Sequence, residues 1–247
     1  MKIKQNETLV GLAKQLNETA ETLCVIFDLD DTLFDTRSRT KRILDEYVKS
    51  HTVPEHVVAA IHKMTLGNVA YFLRETLQNI NILDLALCKD IESFWRLRFF
   101  SGAYVVEDQV FSGCHDLIIK LKENNVEIIY LTGRSESDNP ENDMRQGTKE
   151  ALLKNSFPFK DDDHLIMKKD SNEDDCIFKE RVCKEMYKSQ KYKILASFEN
   201  QPENANMMVN EFNGAKIYLH QSIFRPIRGN KEIIHDQVIC FSDYHSL

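Results

Sequence analysis

Apolar residues in this chain follow two periods. Short apolar runs recur at 23–27, 126–131, 165–167, 194–198, 217–219 and 238–241, and each reads as a buried strand. Between them the spacing turns helical. Cys114, Leu117, Ile118 and Leu121 keep the i, i+3, i+4, i+7 rule, as do Ala205, Met208, Val209 and Phe212, while Phe178, Val182 and Met186 repeat every four residues. Strands alternating with helices predict a mostly parallel sheet covered on both faces. One more amphipathic helix is expected within 7–20.

The interval 37–107 breaks the alternation and predicts about four consecutive helices. Ile43, Leu44, Tyr47 and Val48 mark the first. Pro54, at a first helical position, opens the second, with Val57, Val58 and Ile61 behind it. Val69, Phe72 and Leu73 mark a third, and Leu87, Ile91, Phe94 and Trp95 a fourth. An all-helical block placed after the first strand predicts a separate small domain. Its aromatic stretch Phe94, Trp95, Phe99 and Phe100 is read as the core of that domain.

The chemistry gathers where strands end. The run Leu23 to Phe27 leads directly into Asp28, Asp30 and Thr32. Ligands of α/β sheets bind at the C-terminal ends of strands, and two carboxylates on one short turn repel each other unless a divalent cation sits between them. A metal-dependent active site is the expectation. At 126–134 the chain reads V-E-I-I-Y-L-T-G-R, which puts the Thr132 hydroxyl and neighbouring backbone N–H groups at a second strand tip, suited to a phosphoryl oxygen. Gly133 would let backbone approach a ligand. Arg134 either touches a substrate phosphate or points outward.

Composition narrows the class. The 247 residues are 42% hydrophobic and 29% charged, enough for one sizeable core and an accessory unit. A formal net charge of -7 argues against non-specific nucleic-acid binding. No secretory h-region or bilayer-length apolar stretch is present. The six cysteines form no C-x-x-C pair, so buried free thiols in a reducing, cytoplasmic setting are expected. Neither G-x-x-x-x-G-K-[ST] nor G-x-G-x-x-G occurs, which removes P-loop and dinucleotide chemistry. The histidines show no metal-ligand spacing.

The segment D-L-D-D-T, residues 28–32, resembles the first signature of the haloacid dehalogenase (HAD) superfamily, whose members are mostly phosphohydrolases. The resemblance implies a Rossmann-like α/β core at 1–36 and 108–247, with a helical (C1-type) cap inserted at 37–107. It implies Asp28 as nucleophile, Asp30 as general acid/base, Thr32 as a supporting residue and Thr132 as a phosphate ligand. The third signature is a lone Lys. Lys179, after C-I-F, is the choice, with Lys168 and Lys169 as rivals. The ending E-N-Q-P-E-N at 199–204 is similar to the family's acidic fourth signature, but Asn200 stands where an Asp is usual. Glu199 and Asn200 are expected to join Asp28 and the Asp30 carbonyl around Mg²⁺, and Glu203 to orient the Lys or ligand waters. The implied function is a Mg²⁺-dependent phosphomonoesterase acting on a small phosphorylated molecule through an aspartyl-phosphate. Two alternatives stand beside it. One is a catalytically weak scaffold that binds a phosphorylated ligand or protein partner. The other is a nucleic-acid 3′-phosphatase, suggested by T-G-R and opposed by the acidic charge.

Overall fold

The computed structural model describes residues 8–16, 21–136, 143–225 and 234–247. Six parallel strands form one sheet: β1 (Leu23–Phe27), β4 (Glu127–Ser135), β5 (Leu165–Lys168), β6 (Lys193–Glu199), β7 (Lys216–His220) and β8 (Val238–Phe241), in the spatial order β5-β4-β1-β6-β7-β8. All five residues of β1 are buried, as befits a central strand with helices on both faces. One apolar layer gathers Val25, Phe27, Ile128 and Tyr130 with α1 (Leu9–Leu16) and α7 (Cys114–Glu123). The other gathers Cys24, Ile26, Ile129 and Leu131 with α9 (Asp175–Ser189) and α10 (Pro202–Glu211). Alternate side chains of β1 and β4 thus supply opposite layers, each buried Val, Leu, Ile or Phe contributing about 1.5–3 kcal/mol.

Strand order reverses at β1, since β4 lies on one side of it and β6 on the other. Phe27 is paired with Tyr130 on β4 and with Phe198 on β6. β1 and β6 therefore end beside each other, with β4 running on past them to Ser135, at the position where open α/β sheets hold ligands.

Between the short antiparallel strands β2 (Phe34–Asp35) and β3 (Gln109–Val110) lie α2 (Arg37–Ser50), α3 (Glu55–Lys63), α4 (Leu73–Asn79), α5 (Leu85–Phe99) and the single turn α6 (Gly102–Val105). Leu44, Tyr47, Val57, Ile61, Leu77 and Ile91 form their own apolar cluster. Phe94 and Trp95 pack against it, whereas Phe100 is exposed. Pro54 is the N-cap of α3 rather than its first helical residue. The third helix begins at Leu73, so Val69 and Phe72 precede it.

Candidate active site

Asp28 follows directly on β1, its N–H donating to the Phe198 carbonyl of β6 (3.0 Å). Its carboxylate is buried and held on both oxygens. Oδ2 accepts the Thr32 hydroxyl (3.0 Å) and Oδ1 accepts the Lys179 ammonium (2.8 Å). Thr32 reaches back because the chain folds at once into a tight turn, with the Thr32, Leu33 and Phe34 N–H groups all donating to the Leu29 carbonyl. Burial pushes the Asp28 carboxyl up to about 7, against the pull of Lys179.

Lys179 lies in the second turn of α9 and reaches the C-terminal ends of β1 and β6. Its ammonium also donates to Glu199 Oε1. Burial opposes its charge, but Asp28 and Glu199 outweigh burial and hold it well above the usual lysine range. The rival Lys168 instead binds Asp175 and the Glu173 carbonyl, and Lys169 is exposed.

Glu199 was expected among the metal ligands, and the structure engages it otherwise. Oε1 takes Lys179 and the Asn204 amide (3.2 Å), while Oε2 takes the N–H groups of Asn200 and Gln201 (3.1 and 3.2 Å). Among the described residues no group of three or more His, Cys, Asp or Glu is placed to hold a metal ion. Asn200 donates its amide N–H to the Ile223 carbonyl (2.6 Å). Its Oδ1 is buried and accepts no hydrogen bond among the described residues.

Asp30 faces two guanidiniums. Arg134 Nη2 and Nε approach its Oδ1 at 2.6 and 3.2 Å, and Arg39 Nη2 at 2.8 Å. Burial works against ionisation, but Arg134 and Arg39 outweigh it and hold the carboxyl well below the usual carboxylate range. Both arginines also bind Asp108. The outward alternative for Arg134 is overturned: the side chain is buried, and Nη1 donates to Thr148 (3.1 Å). Thr132 is buried on β4, which continues to Ser135, and its hydroxyl accepts the Arg134 N–H (3.3 Å). Gly133 faces Asp175 of α9; a Cβ there would come 2.7 Å from that carboxylate. The room this glycine provides is for a side chain of the fold.

Arg39, Asp108, Asn204, Asp31 and His220 escaped the sequence reading. Asp31 has a left-handed backbone (φ 57°) and accepts the Thr36 N–H and hydroxyl (3.1 and 2.8 Å). Burial, then the Asp30 charge, push its carboxyl up to about 8. His220 and Ser222 both donate to the Asp31 carbonyl. The residue order D-D-T-L-F signals a turn, but nothing in it announces a partner 189 positions away.

A cavity of about 210 Å³ opens between Tyr71 of the helical insert and Asp175, Gln201, Glu203, Asn204 and Arg225. None of Asp28, Asp30, Thr132 or Lys179 lines it. Glu203 is exposed in the first turn of α10, and it is Asn204 that braces Glu199.

A family model described as haloacid dehalogenase-like hydrolase matches residues 22–207. No curated protein matches the chain. Among solved structures, the chain is similar to a putative phosphatase from Clostridium difficile (TM-score 0.56, 12% identity, covering 91% of this chain and 96% of that one). It is also similar to Protein Tyrosine Kinase A of Mycobacterium tuberculosis (TM-score 0.54, 13% identity, 92% and 97%). A putative haloacid dehalogenase-like hydrolase from Bacteroides fragilis gives a TM-score of 0.51 at 12% identity, covering 92% and 100%. At such identities these likenesses establish the fold.

Proposed function

Because the chain belongs to the haloacid dehalogenase-like hydrolase family, we propose that it is a phosphomonoesterase working through an aspartyl-phosphate on Asp28. The observation that carries this reading is the buried Asp28 carboxylate at the switch point of the sheet, fixed by Lys179 on one oxygen and Thr32 on the other. An Asp carboxylate so aimed is suited to nucleophilic attack, and an adjacent ammonium screens its repulsion with phosphate.

In the proposed reaction Asp28 attacks phosphorus in line, forming the Oδ–P bond as the P–O bond to the leaving group breaks. Asp30, which must first take up a proton against the pull of Arg134 and Arg39, gives that proton to the departing oxygen. It then takes a proton from the water that cleaves the Asp28–phosphate bond, returning free Asp28 and inorganic phosphate. Thr132 and the Lys179 ammonium hold non-bridging oxygens of the phosphoryl group. The helical insert, 37–107, acts as the cap, with Tyr71 at the cavity wall, and excludes stray water from the intermediate.

The residues suited to Mg²⁺ are Asp28, the Asp30 main-chain carbonyl and Asn200, whose buried Oδ1, which accepts no hydrogen bond among the described residues, is an oxygen donor of the hard kind this cation prefers. When bound there, the cation supplies positive charge opposite the phosphoryl oxygens. Glu199 serves instead to hold Lys179 in place. A cytoplasmic location is supported by six free cysteines, and no helix among the described residues is long and apolar enough to cross a membrane. The test is hydrolysis of p-nitrophenyl phosphate with Mg²⁺ or with EDTA: turnover with the first and none with the second is expected.

One observation favours a second reading. A donor set with a single carboxylate suits a weakly catalytic scaffold that binds phosphorylated ligands, for which the same assay would show no turnover while phosphate still binds.

A further inference from the structure

We propose that Arg39 is a positioning residue that ties both ends of the helical insert to the Asp30 carboxylate, so that the insert fixes where that carboxylate points. The proposal rests on the phosphatase reading above. Arg39 stands in the first turn of α2, where the chain enters the insert, and its side chain is fully buried. A buried guanidinium is costly unless its N–H groups are matched. Here they are matched by three separate segments. Nε and Nη2 form a fork on Asp108 (2.8 and 2.5 Å), the residue just before β3 on the returning chain. Nη1 donates to the Phe99 carbonyl at the end of α5 (2.9 Å), and the guanidinium lies 4.3 Å from the centre of the Phe99 ring. Nη2 also reaches Asp30.

Arg134 closes the set by binding both Asp30 and Asp108. Two arginines and two aspartates balance in charge. The side chains of Arg39, Arg134 and Asp108 are 0–1% exposed, whereas that of Asp30 is 32% exposed. The cluster therefore presents a single carboxylate to the site. Three N–H groups fix Oδ1, and Oδ2 accepts no hydrogen bond among the described residues. The aim of Oδ2 follows from where Arg39 and Arg134 stand.

A purely anchoring role would not require Asp30. The exit from the insert already has an independent fastening, because α6 and α8 (Met144–Lys154) meet backbone to backbone at Gly102 and Gly147. A Cβ on Gly147 would lie 2.3 Å from the Gly102 Cα. With that end seated, the Arg39–Asp108 fork sets the distance between the incoming and returning chains, and the acid/base carboxylate hangs from the same guanidinium.

The discriminating readout is leaving-group dependence. Phenolate leaves far less readily than p-nitrophenolate and needs its proton more. A misaimed general acid therefore slows phenyl phosphate more than p-nitrophenyl phosphate, while general loosening slows both alike. Arg39→Lys keeps the charge and loses the fork. We expect kcat/KM, which reads the steps up to leaving-group departure and not the shared hydrolysis of the phosphoenzyme, to fall about 10- to 100-fold on phenyl phosphate, part of the usual general-acid contribution, and to change no more than about threefold on p-nitrophenyl phosphate. Arg98→Gln, which breaks the insert's Arg98–Glu46 pair, should change neither. Should Arg39→Lys fail to fold, Asp108→Asn reads the same ratio with Arg39 in place. Equal loss on both esters, or no loss, would overturn the role of Arg39 while leaving the phosphatase reading intact. A wild type inactive on both esters would overturn that reading and the proposal with it.

Discussion

Replacing Lys179 by Met tests the site's electrostatics without any assumption about substrate. The ammonium lies 2.8 Å from Asp28 Oδ1 and also binds Glu199, with its side chain 3% exposed. Removing it leaves two buried carboxylates facing a methyl group. Breaking a buried ion pair in this way costs about 3–5 kcal/mol. The cost depends on pH in a definite direction. The Asp28 carboxyl is already raised to about 7 by burial, and losing its cation raises it further. Between 7 and that higher value the variant keeps a proton that the wild type has lost, so the penalty grows by up to about 1.4 kcal/mol per pH unit. Lys179 itself is held above the usual lysine range, so its own contribution is fully present and constant from pH 6 to 9. Urea unfolding of both proteins at pH 6 and pH 9 should give a clearly larger difference at pH 9. Lys168→Met is the control: its partner Asp175 is 53% exposed, and the loss should be about 1 kcal/mol or less. A penalty for Lys179→Met below about 1 kcal/mol at pH 9, or equal at both pH values, would refute this arrangement of charges.

Other consequences follow from single residues. Asp31→Asn removes a carboxyl whose pKa is raised to about 8 in the fold. Wild-type stability should fall as pH rises from about 4 through 8, and the variant should lose that slope and gain about 1–3 kcal/mol at pH 8, read by thermal melts in chelator. Gly147→Ala places a Cβ 2.3 Å from the Gly102 Cα and carbonyl oxygen, and should cost about 1–3 kcal/mol in calorimetry. Asn200→Asp adds a carboxylate beside Asp28 and should shift the Mg²⁺ activation curve to about tenfold lower concentration; an unmoved curve would remove Asn200 from the cation's environment.

What the sequence revealed and what it hid divide along physical lines. An unbroken apolar run made β1, buried on both faces, and the edge strand β8, half exposed, legible to the residue. β4 was expected to stop at its apolar edge, yet backbone pairing carries it through Thr132 and Arg134 to Ser135. The two-residue strands β2 and β3 are too short to have a period. Helix α8 went unseen because Gly147 and Thr148, small residues chosen for close approach, weaken its apolar stripe. Asp28 was singled out by its place at the tip of the first apolar run and Lys179 by the family resemblance, and the structure puts the two 2.8 Å apart. The Arg39–Asp108 pair was not legible, since the partners lie 69 residues apart and neither interrupts a local pattern. Glu199 was expected as a metal ligand from the resemblance; the contacts of its two oxygens with donors from α9, α10 and its own turn were not foreseen, because linear order cannot report them.

The central claim is that Asp28 carries the phosphoryl group. The direct measurement is acid quenching of the Asp30→Asn variant during turnover of a labelled phosphate ester, followed by mass spectrometry of its peptides. Asp30→Asn keeps the nucleophile but removes the base for the second step, so phosphate should accumulate on the peptide that contains Asp28, and Asp28→Asn should show neither label nor turnover. Turnover by Asp28→Asn within about tenfold of wild type, roughly 1.4 kcal/mol in barrier, would contradict the account.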